Sequence, residues 1–379
     1  MRIICITGSR SEYGVMRQLL KKLDCNFQLS LIVTGMHLMG KFGLTAKEVE
    51  ADGFAIAGRV NMHLEKGTNA SMAKSIGYAI IVMTDVLEKA KPDLVIVAGD
   101  RGEMLAGAIA AAHLNIAVAH ISGGDITTGA AIDERIRHSI SKFSDIHFPS
   151  STSAARALIR MGENPELVFA VGNPGIPVRY TITESRKRKI AVKYHLSLSR
   201  PILLVIQHPV SSQADDSGRQ MLETLKAIGL LKMQAIIIYP NSDAGSGEII
   251  DAITHNVPSF VQVHKTIPGD DFKDLMAMSS VIVGNSSCAL LEAPSFGLPA
   301  VNIGTRQQGR ERSNNIIDAP HDRLKIADAV KKALQPSFRK SIAPSPYAQA
   351  NPEDKIISII KETNIPQARH KKHDTQESS

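Results

Sequence analysis

Residues 94–121 read LVIVAGDRGEMLAGAIAAAHLNIAVAHI and hold a complete strand, helix and strand. Leu94 to Gly99 is a short Val/Ile/Leu run without alternation, the pattern of a strand buried on both faces. Met104 to His113 is an Ala-rich helical stretch, and Ile116 to Ile121 is a second apolar strand. Strands joined through a helix pair in parallel, because only a crossover carries the chain back to the same end of the sheet. The chain is therefore α/β, built on parallel sheets.

The alternation continues outward in both directions. Further candidate strands are Arg2 to Thr7, Leu29 to Thr34, Ile146 to Phe148 and Leu167 to Val171. A second series runs through Ile202 to Gln207, Ala235 to Tyr239, Phe260 to Val263, Val281 to Val283 and Pro299 to Ile303. Two sheets are implied. Gly172-Asn173-Pro174-Gly175-Ile176-Pro177 lies between the series, and its Gly and Pro content blocks both helix and ladder. We expect a first domain over 1–175 and a second over 176–342. A helical segment over 343–365 follows, whose Ile356, Ile357, Ile359 and Ile360 suit docking on a neighbour, and then a polar, disordered tail over 366–379.

A length of 379 residues with 43% hydrophobic and 21% charged residues is that of an ordinary globular chain. No apolar run reads as the roughly 18 residues that a membrane span needs, and the N-terminus enters a strand at once instead of a leader. Three cysteines at unrelated spacings, with no CxxC pair, point to no metal site and to a reducing, cytoplasmic setting. The formal charge of +7 comes mostly from Arg186-Lys187-Arg188-Lys189, read as a solvated helix face. With no Trp and 4% aromatics, a nucleic-acid partner is a poor reading; an anionic small ligand remains open.

In parallel sheets chemistry belongs at the carboxyl ends of strands. After the first strand, Gly8-Ser9-Arg10 opens a helix read over Val15 to Leu23 and offers N–H groups and a guanidinium to an anion. It matches neither GxxxxGK[ST] nor GxGxxG, and a surface turn with a solvated Arg is an equal reading. Asp100-Arg101 ends the next strand, as carboxylate and cation or as a helix cap. His120-Ile121-Ser122-Gly123-Gly124-Asp125 and then Asp133 and Glu134 add acids, which crowding would drive apart in pKa. In the second domain His208 and His264 follow strands, and Asn241 sits in a turn-rich loop. Gly284-Asn285-Ser286-Ser287 followed by a helix aims N–H groups and two hydroxyls at a diphosphate, with Glu292 placed to accept from a ribose diol. Arg306, Arg310 and Arg312 add cations to the same rim.

Seven ordered stretches carry a resemblance: AGDRGEM (98–104), HISGGDI (120–126), IDERIRHSISK (132–142), QHPVSS (207–212), YPNSDAG (239–245), GNSSCALLEA (284–293) and NIGTRQQGR (302–310). Together they resemble the UDP-N-acetylglucosamine 2-epimerases, most closely the hydrolysing branch that serves sialic-acid synthesis. The resemblance implies a GT-B-like fold of two Rossmann-type domains facing a central cleft, a homodimer or homotetramer, and no metal or cofactor. It implies UDP contacts at Arg10, Arg101, His208, Asn241, Ser286, Ser287, Glu292 and Arg306, with His264 as an addition. It implies catalysis by Asp100 and Asp133, assisted by Asp125 or Glu134.

The implied reaction converts UDP-N-acetylglucosamine and water to N-acetylmannosamine and UDP. It eliminates UDP to a 2-acetamidoglucal and then adds water with inversion at C2. One departure stands out: many members have an acid directly after His-Ile, where this chain has Ser122. Either Asp125 takes over the missing carboxylate's role, or the pocket is adapted to a different sugar, of which UDP-2,4-diacetamido-2,4,6-trideoxyglucose of the legionaminic-acid pathway is the nearest. Two readings of another class remain, a GT-B glycosyltransferase and a non-catalytic UDP-sugar-binding protein.

Overall fold

The computed structural model describes residues 1–62, 68–129 and 131–365. Its first sheet contains β1 (Arg2–Thr7), β2 (Gln28–Thr34), β3 (Ile56–Val60), β4 (Leu94–Ala98), β5 (Ala117–Ile121) and β6 (Ile146–Phe148). They lie in the order β3-β2-β1-β4-β5-β6, all parallel. The second sheet contains β7 (Ile202–Ile206), β8 (Gln234–Ile238), β9 (Val261–His264), β10 (Val281–Gly284), β11 (Ala300–Ile303) and β12 (Ile316–Ala319). Its order is β12-β11-β10-β7-β8-β9, again all parallel. Counted from its own first strand, each sheet has the order 3-2-1-4-5-6 of a doubly wound Rossmann domain. The two domains face one another in a GT-B-like arrangement.

Central strands are fully buried, as their unbroken apolar runs require: Leu94–Ala98 and Ile202–Ile206 are buried at every position. The edges behave differently. Half-exposed β3 carries Gly58 and Arg59, and β12 carries Asp318, so neither shows the apolar run by which the central strands are read. Leu167 to Val171, expected as a strand, is instead a single 3₁₀ turn (Pro165–Leu167) followed by one bridge from Val168 to His147.

The first helix spans Arg10–Asn26, five residues earlier than its apolar face implies, because the Ser9 hydroxyl accepts from Glu12 N and caps it. That places Arg10 in the first turn. The helix Pro352–Glu362 packs on the first lobe, where Ile356, Ile357 and Ile360 join a core with Leu19, Leu20 and Leu23. The chain thus crosses between lobes twice. Helix Asn69–Ala90 is long and apolar enough to cross a membrane by length and composition, which the sequence reading missed; here Ala79, Met83 and Leu87 pack it onto the first sheet. Residues 366–379, expected to be disordered, lie outside the described residues.

Candidate active site

Each sheet reverses its strand order between its first and fourth strands, β1/β4 and β7/β10, and neighbouring loops diverge there to leave a crevice. The two crevices face one another across a cavity of about 280 Å³. Ser9 and Arg10 after β1 and Asp100 and Arg101 after β4 line one wall; His208 after β7 and Ser286 and Ser287 after β10 line the other. Gly284 lets β10 run this close to β7: its φ is +134°, and an added Cβ would lie 2.0 Å from the Ile206 carbonyl oxygen.

The second wall offers donors. Asn285 is buried and clamps His208, accepting its backbone N–H at 2.7 Å and donating to its carbonyl at 2.8 Å. His208 Nδ1 accepts from the Asn241 backbone N–H at 3.0 Å, which assigns the ring proton to Nε2. Burial, with Arg306 and Arg101 nearby, holds its pKa well below the usual value, so His208 is a neutral donor. The Asn241 side chain turns away to Asp243.

Ser286 and Ser287 project from a turn before Cys288–Leu291, a helix of one turn that passes at Pro294 into a 3₁₀ stretch. The long helix dipole expected there is absent. The hydroxyls and turn N–H groups are the available anion donors, with Lys265, Lys273 and Arg10 beside them. Arg10 makes no ion pair or hydrogen bond with any described residue and lies over the Phe272 ring at 5.2 Å. Burial lowers its pKa, while Glu48 and Glu292 oppose the shift.

Acids crowd the first wall. Burial raises Asp100, but Arg137 at 2.5 Å and Arg310 at 3.8 Å outweigh it and hold the carboxyl at about 2. Burial pushes Asp133 up to about 6, with Asp100 and Asp243 adding to the shift against Arg306 at 3.0 Å. One carboxyl is thus held ionised while its neighbour keeps a proton toward neutrality, a division suited to acid and base roles. Asp125 is buried, raised by that burial, and paired with Arg310 at 3.4 Å. Arg306 and Arg310 both come from the second lobe, so the acids meet their cations across the cleft.

Glu134 and His264 do not line the cavity. Glu134 accepts from Thr127 N and Oγ1, Arg137 and His138; burial opposes these bonds, yet they hold it at about 2. It braces Arg137 and has no reach to a substrate. His264 packs edge-on to Tyr194 at 5.3 Å, at the far edge strand. Arg101 lines the cavity but spends its donors on Glu103 (2.8 Å), Ser242 (3.1 Å) and Asp243 (3.5 Å), bridging the lobes. Glu292 lines the cavity, raised by burial against Lys273 and Arg10.

The residue that sequence reasoning missed is Arg137, 1% exposed, which grips Asp100, Glu134 and the Asp125 carbonyl. An Arg in a charged amphipathic helix reads as solvated; only its placement opposite Asp100 reveals the role.

Two facing Rossmann-type lobes, with paired acids on one and a hydroxyl-rich turn on the other, define an α/β protein of GT-B-like build. Residues 20–361 match the model of the family described as UDP-N-acetylglucosamine 2-epimerase, and the chain belongs to that family. It is 38% identical over 364 residues to UDP-N,N'-diacetylbacillosamine 2-epimerase (hydrolyzing) of Legionella pneumophila, covering 95% of each chain. It is 31% identical over 334 residues to UDP-N-acetylglucosamine 2-epimerase of Neisseria meningitidis, covering 88% of this chain and 87% of the relative. The crystal structure of a Neisseria meningitidis UDP-GlcNAc 2-epimerase bound to UDP-GlcNAc superposes with a TM-score of 0.79 at 18% identity, covering 96% of this chain and all of that one. This last likeness is one of fold.

Proposed function

We propose that the protein is a hydrolysing 2-epimerase that takes a UDP-2-acetamido sugar and water to UDP and the free C2-inverted sugar. The observation that carries this reading is the pair Asp100 and Asp133, with divergent proton affinities, set across the cleft from the Ser286/Ser287 turn. The C2 hydrogen is not acidic until the C1–O bond to the diphosphate begins to break. Stabilising the departing diphosphate is therefore the main demand, and Arg10, Ser286, Ser287 and the His208 Nε2–H can meet it. Asp100, held ionised, takes the C2 proton as UDP leaves, giving the glycal. Water then adds across the glycal: its oxygen bonds to C1 while Asp133 gives its proton to the opposite face of C2 and recovers one from that water, and the proton held by Asp100 passes to solvent.

UDP-N,N'-diacetylbacillosamine is the substrate best supported, by the 38%-identical relative of that name and by the neutral Ser122 in the acid-lined cleft. UDP-N-acetylglucosamine is the second reading, supported by the Neisseria relative. Incubating the protein with each sugar in D₂O decides the matter. The expected products are UDP and the free manno-configured sugar carrying deuterium at C2. Unlabelled product, or sugar transfer only when an acceptor is added, overturns the reading.

A further inference from the structure

Beside the acids lies a cluster without charge. Asn173 is 6% exposed and lines the cavity, and its Oδ1 is buried with no hydrogen-bond partner among the described residues. An unpaired buried acceptor is destabilising, so its persistence asks for a donor that arrives with the ligand. Its Nδ2 donates to Ser122 Oγ at 3.1 Å, and Ser150 Oγ donates to the same oxygen at 2.9 Å. With both approaches taken by donors, the Ser122 hydroxyl hydrogen is free to donate in turn.

The cluster is held in place by the backbone. Ser122 sits at φ +63°, a conformation that favours glycine, fixed by its N–H to the Phe148 carbonyl at 2.9 Å. Asn173 N donates to the Tyr347 carbonyl at 2.9 Å, so the returning C-terminal segment fixes the interdomain link. One acceptor and one donor, both neutral, complement the N–H and C=O of a secondary amide. Ile121 and Ile176, which line the same cavity, supply an apolar wall for an acetyl methyl.

We propose that Asn173 and Ser122 read the acetamido group at C4 of the sugar, Asn173 Oδ1 accepting its N–H and the Ser122 hydroxyl donating to its carbonyl. The assignment rests on the 2-epimerase reading above. The C2 acetamido belongs beside Asp100 and Asp133, at the reacting carbon, whereas Ser122 directly follows β5, the next strand along the sheet from β4. A hydroxyl at C4, as in N-acetylglucosamine, offers one short oxygen at the ring, whereas an acetamido group places its N–H and its C=O on separate atoms that can meet Asn173 and Ser122 together.

Calorimetry in an Asp100→Asn background, which stops turnover, tests this directly. That protein is expected to bind UDP-N,N'-diacetylbacillosamine at least about tenfold more tightly than UDP-N-acetylglucosamine, the order of one hydrogen bond. Adding Asn173→Leu or Ser122→Ala should erase the preference while the dissociation constant for UDP itself stays within about twofold. Absence of the preference, its survival in both variants, or an equal loss of UDP affinity overturns the proposal. Wild-type turnover in D₂O, measured separately, reports failure of the 2-epimerase reading instead.

Discussion

Asp100 and Asp133 are the same side chain in two settings, and their cations set the difference. Because Asp133 is raised to about 6, its proton is lost as pH climbs past that value, and kcat for formation of the free C2-inverted sugar should descend there. A flat profile from pH 5 to 8 would assign the proton donor elsewhere. Asp100 runs the other way: depressed below its ordinary 3.8, it adds stability that is present above that pH and lost as pH falls through about 2. Arg137→Met removes the cause. It leaves the half-buried Asp100 and Glu134 without their shared cation, so unfolding free energy should drop by about 1–3 kcal/mol and turnover by at least about 10²-fold, read by denaturant melts and UDP release. Arg137→Lys should not rescue either, since one ammonium with three N–H groups cannot span the four acceptors that the guanidinium reaches.

At the level of the element, the proposed anion site is a turn of three residues between β10 and a helix too short to carry much dipole. Its strength therefore rests on individual donors. Ser286→Ala and Arg10→Ala should each weaken UDP binding about 10- to 100-fold by calorimetry, with Tm little changed. Normal affinity in both would move the phosphates elsewhere. This element was readable from the chain because Val281–Gly284 is uniformly apolar and ends in Gly-Asn-Ser-Ser, where only a turn fits. The edge strands β3 and β12 were not, since one face of each is in water and Gly58 or Asp318 breaks the run. Candidate site residues were legible where a strand end positions them, as with Arg10, Asp100 and Ser286. Arg137 was missed because its role depends on Asp100, 37 residues away, and Glu134 stands off the cavity because neighbours within its own turn and helix, Thr127, Arg137 and His138, take up its carboxylate.

Across the whole molecule, the lobes meet through matched charges: Arg306 with Asp133, Arg310 with Asp125, Arg101 with Asp243, and Arg17 with Asp270 at 3.2 Å. A backbone seam closes the rim, where Thr128 N donates to the Gln308 carbonyl at 2.8 Å. Gly129 makes the seam possible, for a Cβ there would fall 1.6 Å from the Thr305 carbonyl oxygen. Gly129→Ala should hold the lobes apart, raising the radius of gyration in solution scattering and lowering kcat at least about tenfold while Tm stays near wild type. An unchanged scattering profile would show that closure tolerates the side chain.

The return of helix Pro352–Glu362 to the first lobe bears on biosynthesis. A nascent chain emerging from the ribosome displays Leu19, Leu20 and Leu23 long before their partners Ile356, Ile357 and Ile360 have been translated. The first lobe is thus born with an open greasy seam, and any message cut short before codon 352 yields a sticky product that quality control must clear.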